Sequence, residues 1–154
     1  MSELRLSSEK RLRIFTGRAF PELAESVAAE LGITITPTSA YDFANGEIFV
    51  RFEESVRGSD AYVIQSHAAP VNKHIMEQLI MIDALKRASA KRITVVAPFY
   101  GYARQDKKHR GREPISARLI FSVRNSHAKI LTKTGVALNM RFAWPELVPS
   151  RAKK

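Results

Sequence analysis

The stretch that decides the fold is Ile93-Thr-Val-Val-Ala97, followed after Pro98 by Tyr100-Gly-Tyr-Ala-Arg-Gln-Asp-Lys-Lys-His-Arg-Gly-Arg-Glu113. The first part is an unbroken run of apolar and β-branched residues, which predicts a buried strand. The second part is dense in Arg, Lys and other hydrogen-bond donors. Ligands of open α/β sheets bind just past the carboxyl ends of the strands. The pattern therefore indicates an anion or nucleotide site, with a solvated basic loop as the alternative.

Length and composition limit the number of domains and the possible classes of protein. A chain of 154 residues with 45% hydrophobic side chains suits one domain or part of a larger protein. The sequence has no Cys, which excludes disulfides, thiolate metal sites and Cys nucleophiles. No apolar run approaches the ~20 residues of a membrane span, and the polar N-terminus lacks the features of a signal peptide. We therefore expect a cytoplasmic protein with no membrane partner.

The net charge of +10 is unevenly distributed. Residues 1–120 carry 18 basic and 14 acidic side chains, whereas residues 121–154 carry 7 basic and 1 acidic. This break predicts a domain over 1–120 and a divergent basic tail of uncertain fold over 121–154. The tail raises the hypothesis of polyanion binding. We expect no nucleic-acid partner, because Trp144 is the only strong stacking aromatic in the tail.

Hydrophobic patterning predicts alternating strands and helices. The expected strands are Leu12–Thr16, Ile33–Ile35, Glu47–Phe52, Asp60–Gln65 and Ile93–Ala97. The expected helices are Pro21–Leu31, Lys73–Ala88 with Asn72 as N-cap, and one that opens at Pro114. The second and third strands would form a hairpin around the Asn-Gly turn within Tyr41–Gly46. Lys129–Met140 could be a strand or a helix. The alternation predicts a mostly parallel sheet flanked by helices.

Three groups of residues are candidates for chemistry. In Arg104-Gln105-Asp106, Arg offers a planar fork for phosphate and Gln suits the edge of a base; the alternative is a surface turn. In Phe43–Glu47, the aromatic could stack on a base; the alternative places Phe43 in the core. In Glu53–Gly58, Ser and Arg before Gly could form an anion cup; the alternative is a polar loop.

The remaining polar residues give weaker signals. His67 and His74 flank a loop and could face one site, but isolated loop histidines are more often solvated. The glycines form neither a Walker A loop nor a dinucleotide fingerprint, and no Ser nucleophile elbow is present.

Five motifs follow one another along the chain: Gly17-Arg-Ala-Phe-Pro-Glu-Leu-Ala24, Phe43-Ala-Asn-Gly-Glu47, Glu53-Glu-Ser-Val-Arg-Gly58, Ile80-Met-Ile-Asp-Ala-Leu-Lys-Arg-Ala-Ser-Ala90 and Tyr102-Ala-Arg-Gln-Asp-Lys-Lys108. In this order they resemble ribose-phosphate pyrophosphokinase, the synthetase of phosphoribosyl pyrophosphate, in a form that looks actinobacterial. The resemblance covers about residues 10–120. It implies the N-terminal domain of a phosphoribosyltransferase-like fold.

The resemblance also implies a reaction and a site. The family transfers the diphosphoryl group of ATP to ribose 5-phosphate, with Mg²⁺. By position, the implied ATP-binding residues are Phe43, Asn45, Gly46, Glu47, Arg104, Gln105 and Asp106. Phe43 would stack on adenine, and its loop would reach the nucleotide site of a neighbouring subunit. Ser55 and Arg57 resemble part of a regulatory phosphate site between subunits.

The resemblance stops near Ile120. The family continues with a strand ending in Asp-Leu-His, whose His helps to hold Mg²⁺; here His127 lacks that context, so no metal role is transferred to it. After Asp106 the sequence has no Asp, and only Glu113 and Glu146 are acidic. The ribose-phosphate loop and the catalytic loop therefore have no counterparts, and no catalytic residue is assigned.

This inventory predicts a truncated or frameshifted family member that is inactive alone. The alternative to truncation or frameshift is a new tail with a function of its own. Two further functions stay open beside the leading one: a non-catalytic regulatory or interaction subunit that associates with itself or with full-length synthetase, and a basic-tail polyanion binder.

Overall fold

The computed structural model of the chain describes residues 12–122 and 128–132. In chain order the elements are β1 (Leu12–Thr16), α1 (Pro21–Glu30), β2 (Thr38–Asp42), β3 (Ile48–Phe52), β4 (Asp60–Ile64), α2 (Val71–Arg87), β5 (Arg92–Ala97), a 3-10 helix (Ala103–Gln105), α3 (Ser116–Ser122) and β6 (Ala128–Thr132). No helix within these residues has the length and apolarity needed to cross a bilayer. The basic tail beyond Thr132, including Trp144, lies outside the described residues.

The main sheet has four parallel strands in the order β1-β4-β5-β6. Thr16 is opposite Ile64, and Ile64 is opposite Val96, so β1, β4 and β5 end at a common carboxyl edge. The predicted mostly parallel sheet flanked by helices is confirmed. The strand β6 overlaps the beginning of Lys129–Met140, the segment for which the sequence allowed either a strand or a helix.

The core lies on both faces of this sheet, because successive residues of a strand point to opposite faces. Phe15 and Val63 belong to a buried cluster with Met81 and Leu85 of α2. On the other face, Ile14 and Ile64 pack with Ala24 and Ala28 of α1. Burial on both faces explains why β4 and β5 are apolar at most of their positions.

A separate antiparallel hairpin is formed by β2 and β3. Val50 and Phe52 pack against the buried cluster under α2, and the ring centroids of Phe52 and Phe15 are 4.7 Å apart. The predicted pairing was wrong for the first strand. Ile33–Ile35 contributes only an isolated bridge from Ile35 to Ile14, and Thr38–Asp42 pairs with β3 instead. The polar sequence of β2 gave no strand signal because most of its side chains are exposed.

The long helix α2 begins two residues earlier than predicted. Pro70 occupies the N-cap position and no side chain caps the helix, so the N-cap role predicted for Asn72 is wrong. Asn72 lies in the first turn, and its Oδ1 accepts a hydrogen bond from the hydroxyl of Tyr102 at 2.6 Å. Lys86 and Arg87 are in the last turn, as predicted, where they complement the helix dipole.

Candidate functional site

The loop after β5 leaves the sheet at its carboxyl edge. It turns through the 3-10 helix, and the side chains of Arg104, Gln105 and Asp106 are exposed there. Within the described part of the chain, none of these three side chains makes a hydrogen bond or an ion pair. They are therefore free to bind a ligand from solvent.

The start of this loop is nevertheless held at three points, one through the backbone and two through tyrosine hydroxyls. The amide of Gly101 donates to Nδ1 of His67 at 2.9 Å, and the hydroxyl of Tyr102 donates to Asn72. The hydroxyl of Tyr100 donates to the carbonyl of Ala117 in α3 at 3.1 Å. These contacts tie the start of the loop to the loop after β4, to α2 and to α3.

The solvated interpretation of the two loop histidines is wrong. His67 is completely buried, and its Nε2 lies 2.7 Å from Oε1 of Gln78. Burial lowers the pKa of His67; the hydrogen bond to Gln78 raises it in part, and the proximity of His74 lowers it further. His74 is also buried, and its Nδ1 lies 2.9 Å from the carbonyl of Ala68. Both histidines are therefore structural at this edge of the sheet: His67 contacts Gly101 and Gln78, and His74 contacts Ala68.

The hairpin presents the second candidate group. Its turn is closed by the amide of Gly46, which donates to the carbonyl of Phe43 at 2.8 Å, and by the amide of Glu47, which donates to Oδ1 of Asn45 at 3.1 Å. Gly46 has a φ of 87°, which favours glycine. Phe43 is 46% exposed and touches Tyr41 edge to face at 5.3 Å. The alternative that placed Phe43 in the core is therefore wrong.

Both candidate groups are anchored on the first turn of α2. Asn72 holds the loop after β5 through Tyr102, and Nζ of Lys73 lies 2.5 Å from Oδ2 of Asp42 at the end of β2. The hydrogen bonds from Lys73 and then from Arg18 lower the pKa of Asp42. Among residues 12–122, no hydrogen bond, ion pair or ring contact joins the hairpin turn directly to the Arg104 group.

A buried carboxylate supports the hairpin side of this edge, and the sequence analysis missed it. Glu77 of α2 is completely buried. Its Oε1 accepts from Nε of Arg18 at 2.6 Å, and its Oε2 accepts from Nε2 of Gln65 at 2.9 Å. Arg18 also donates to Asp42 at 2.6 Å. The available signal was an acidic residue on the apolar face of α2.

The third group lies at a loop before β4. Ser55 and Arg57 are exposed on either side of Val56, which is buried. Gly58 has a φ of 71°, and the hydroxyl of Ser59 donates to the carbonyl of Val56 at 2.7 Å. Neither Ser55 nor Arg57 has a side-chain partner in the described region. The predicted phosphate site there stays a prediction.

The described residues do not fit a protein-held Mg²⁺. Within residues 12–122 and 128–132, no three His, Asp or Glu side chains come together to hold a metal ion. His127 lies outside the described residues.

Comparisons with known proteins agree with this architecture. The family model for the N-terminal domain of ribose phosphate pyrophosphokinase matches residues 12–135, a region that includes β6. The ribose-phosphate pyrophosphokinase of Streptomyces coelicolor is 68% identical over 120 residues, which are 78% of this chain and 37% of that protein. That of Corynebacterium glutamicum is 73% identical over 113 residues, 73% of this chain and 35% of that protein.

A solved structure gives the same result. The crystal structure of phosphoribosylpyrophosphate synthetase from Mycobacterium smegmatis superposes with a TM-score of 0.73 at 70% identity, covering 74% of this chain and 38% of that one. The chain thus spans little more than a third of the length of the relatives it matches. From its fold and these matches, the chain belongs to the ribose-phosphate pyrophosphokinase family, whose N-terminal domain it contains.

Proposed function

We propose that this chain provides the nucleotide-binding part of a ribose-phosphate diphosphokinase, which transfers the diphosphoryl group of ATP to ribose 5-phosphate. Arg104, Gln105 and Asp106 bind ATP in this proposal. A guanidinium can pair with phosphate or stack on a base, and an amide can donate and accept at a base edge. Their exposed positions at the carboxyl edge of the sheet support this role.

The hairpin turn serves the nucleotide site of a neighbouring subunit. Phe43 stacks on adenine there, and Asn45, Gly46 and Glu47 line the same site. Two observations support this assignment: Phe43 is half exposed although it is a large aromatic, and no hydrogen bond, ion pair or ring contact joins the turn to the Arg104 group among residues 12–122. A second copy, or a full-length synthetase, is thus the expected partner.

The observation that carries the proposal is the shared anchor on α2. Successive residues of one helical turn, Asn72 and Lys73, hold the loop of Arg104 and the strand that leads to Phe43. The helix thereby fixes both groups in one rigid frame. Phosphoryl transfer depends on positioning and charge neutralisation, and this arrangement supplies positioning.

We further propose that the 154 residues, assayed by themselves, release no phosphoribosyl pyrophosphate. The described residues lack a metal-holding set, and the sequence contains no Asp after Asp106. The acidic residues that would bind ribose 5-phosphate and Mg²⁺ in the family thus have no counterpart here.

Calorimetric titration with ATP and Mg²⁺ tests the binding role. Replacing Arg104 with Ala removes a charge-assisted contact and should weaken the ATP affinity about tenfold. Arg87→Ala, at the far end of α2, is the matched control and should leave the affinity unchanged. Equal affinities for Arg104→Ala and the unmodified chain would refute the assignment. Product formation from ATP and ribose 5-phosphate would refute the predicted lack of turnover.

A non-catalytic association role is the second candidate. It is favoured by Ser55 and Arg57, which are exposed beside the buried anchor Val56 and have no side-chain partner in the described region. We expect this chain to co-purify with full-length synthetase. Arg57→Ala should reduce the recovered complex, whereas Arg87→Ala should not. A monomeric chain that fails to co-purify would exclude this role.

A further inference from the structure

The loop that carries Arg104 enters through a narrow gap at Gly101. A Cβ at this position would lie 2.8 Å from Cγ1 of Val71 and 3.1 Å from Cβ of His67. Real Cβ atoms essentially never approach as closely as the first of these distances, so the gap requires glycine. The close approach is what lets the amide of Gly101 reach Nδ1 of His67.

The contacts of His67 fix its tautomer. Because the amide of Gly101 donates to Nδ1, this nitrogen carries a lone pair and not a proton. The proton of the neutral ring is therefore on Nε2, which donates to Oε1 of Gln78. A protonated ring would direct an N–H at the amide of Gly101 and break that contact. Complete burial favours the neutral form.

The next residue, Tyr102, turns the chain in a sparsely populated conformation. Its φ of 62° lies in the left-handed region, which is unusual for a bulky side chain. Its hydroxyl is held by Asn72, and its carbonyl accepts from the amide of Gln105 at 2.8 Å. The turn is thus held from the buried side by His67 and from the surface side by Asn72.

We propose that His67 is a positioning residue, whose neutral imidazole holds Gly101 and thereby sets the turn that presents Arg104, Gln105 and Asp106. His67 itself touches no nucleotide. The effect on ATP affinity rests on the proposed function, whereas the effect on loop geometry does not.

Two matched variants separate positioning from packing. In His67→Asn, the side-chain oxygen replaces Nδ1 as acceptor for Gly101, but the contact to Gln78 is lost. In His67→Gln, the longer amide reaches Gln78, but Gly101 loses its acceptor. Both variants remove the ring, so they lose comparable packing, and a merely structural role predicts similar behaviour for the two.

Amide hydrogen exchange and ATP titration on the full chain are the readouts. We expect His67→Gln to speed exchange at Gly101 and through Gln105 by about tenfold, and to weaken ATP binding by a similar factor. We expect His67→Asn to stay within about twofold of the unmodified chain in both. If the unmodified chain binds no ATP, the proposed function fails, and the exchange comparison alone decides the positioning role.

Equal exchange in the two variants, or faster exchange in His67→Asn than in His67→Gln, would overturn the proposal. If neither variant folds, Gly101→Ala replaces them, because its Cβ would crowd Val71, Ile75 and His67 at the point where the amide of Gly101 meets the ring. Unchanged exchange through Gln105 in Gly101→Ala would likewise overturn the proposal.

Discussion

Replacing Glu77 with Gln should destabilise the domain through its buried hydrogen bonds. The carboxylate is completely buried and accepts from Arg18 at 2.6 Å and from Gln65 at 2.9 Å. An amide of the same shape leaves no cavity, so packing is preserved. It offers only one acceptor oxygen, however, and its NH₂ group would face either Nε of Arg18, or Nε2 of Gln65 together with the backbone amide of Arg18.

The structure sets the size of the expected loss. One hydrogen bond to a charged group is worth about 1.5–3 kcal/mol. The side chain of Arg18 is 31% exposed, so water can replace part of its lost contact, whereas Gln65 is completely buried. We therefore expect the free energy of unfolding to fall by about 2 kcal/mol.

Urea unfolding measures this loss, with an unchanged m-value as the sign that the unfolded state is the same. The matched control is Asp83→Asn on the same helix, which removes an exposed pair with Arg87. Such an exposed pair contributes little to stability, because solvent screens it. If Glu77→Gln costs no more than Asp83→Asn, the buried carboxylate does not stabilise this edge and the reasoning fails.

Three further perturbations follow from single features of the structure. Gly17→Ala should lower the free energy of unfolding by about 2 kcal/mol or more, because its Cβ would collide with the carboxamide of Gln65; Gly111→Ala, with nothing nearby, should be neutral in the same urea experiment. Phe43→Ala should cost about 1 kcal/mol and Phe15→Ala about 3–5 kcal/mol, since only the second ring is completely buried; equal costs would contradict this. Burial lowers the pKa of His67, which faces the titratable groups of His74 and Tyr100, so the unfolded chain binds more protons as the pH falls through about 6.5. Stability should therefore decrease from pH 7 to pH 5, and the decrease should be smaller in His67→Asn; identical pH profiles would exclude His67 as a source.

The buried strands could be predicted from the sequence because burial on both faces requires a run of mostly apolar residues. The runs at Leu12–Thr16, Asp60–Ile64 and Arg92–Ala97 are apolar at nearly every interior position. The strand Thr38–Asp42 has no such run, because most of its side chains are exposed and its backbone pairs with β3. Weakly patterned edge strands are thus predictable only once the pairing is known.

The candidate site also contains some residues that the sequence indicates and others that it does not. The exposed group at Arg104 could be proposed as a site because its residue types suit ligand binding and it follows a clear strand. His67 was wrongly interpreted as solvated and Glu77 was missed, since their roles depend on partners 34 and 59 positions away in the chain. Sequence spacing alone does not report such contacts.

The first turn of α2 explains how these supporting residues act on the site. Neighbouring helical residues point about 100° apart, so Asn72 can hold the Arg104 loop while Lys73 holds the hairpin at Asp42. Each of these two contacts is reinforced by a different buried residue. His67 adds to the first through Gly101, and Glu77 adds to the second through Arg18, which also binds Asp42. A change at His67 should therefore loosen the loop alone and a change at Glu77 the hairpin side alone, whereas a shift in the start of α2 moves both groups together.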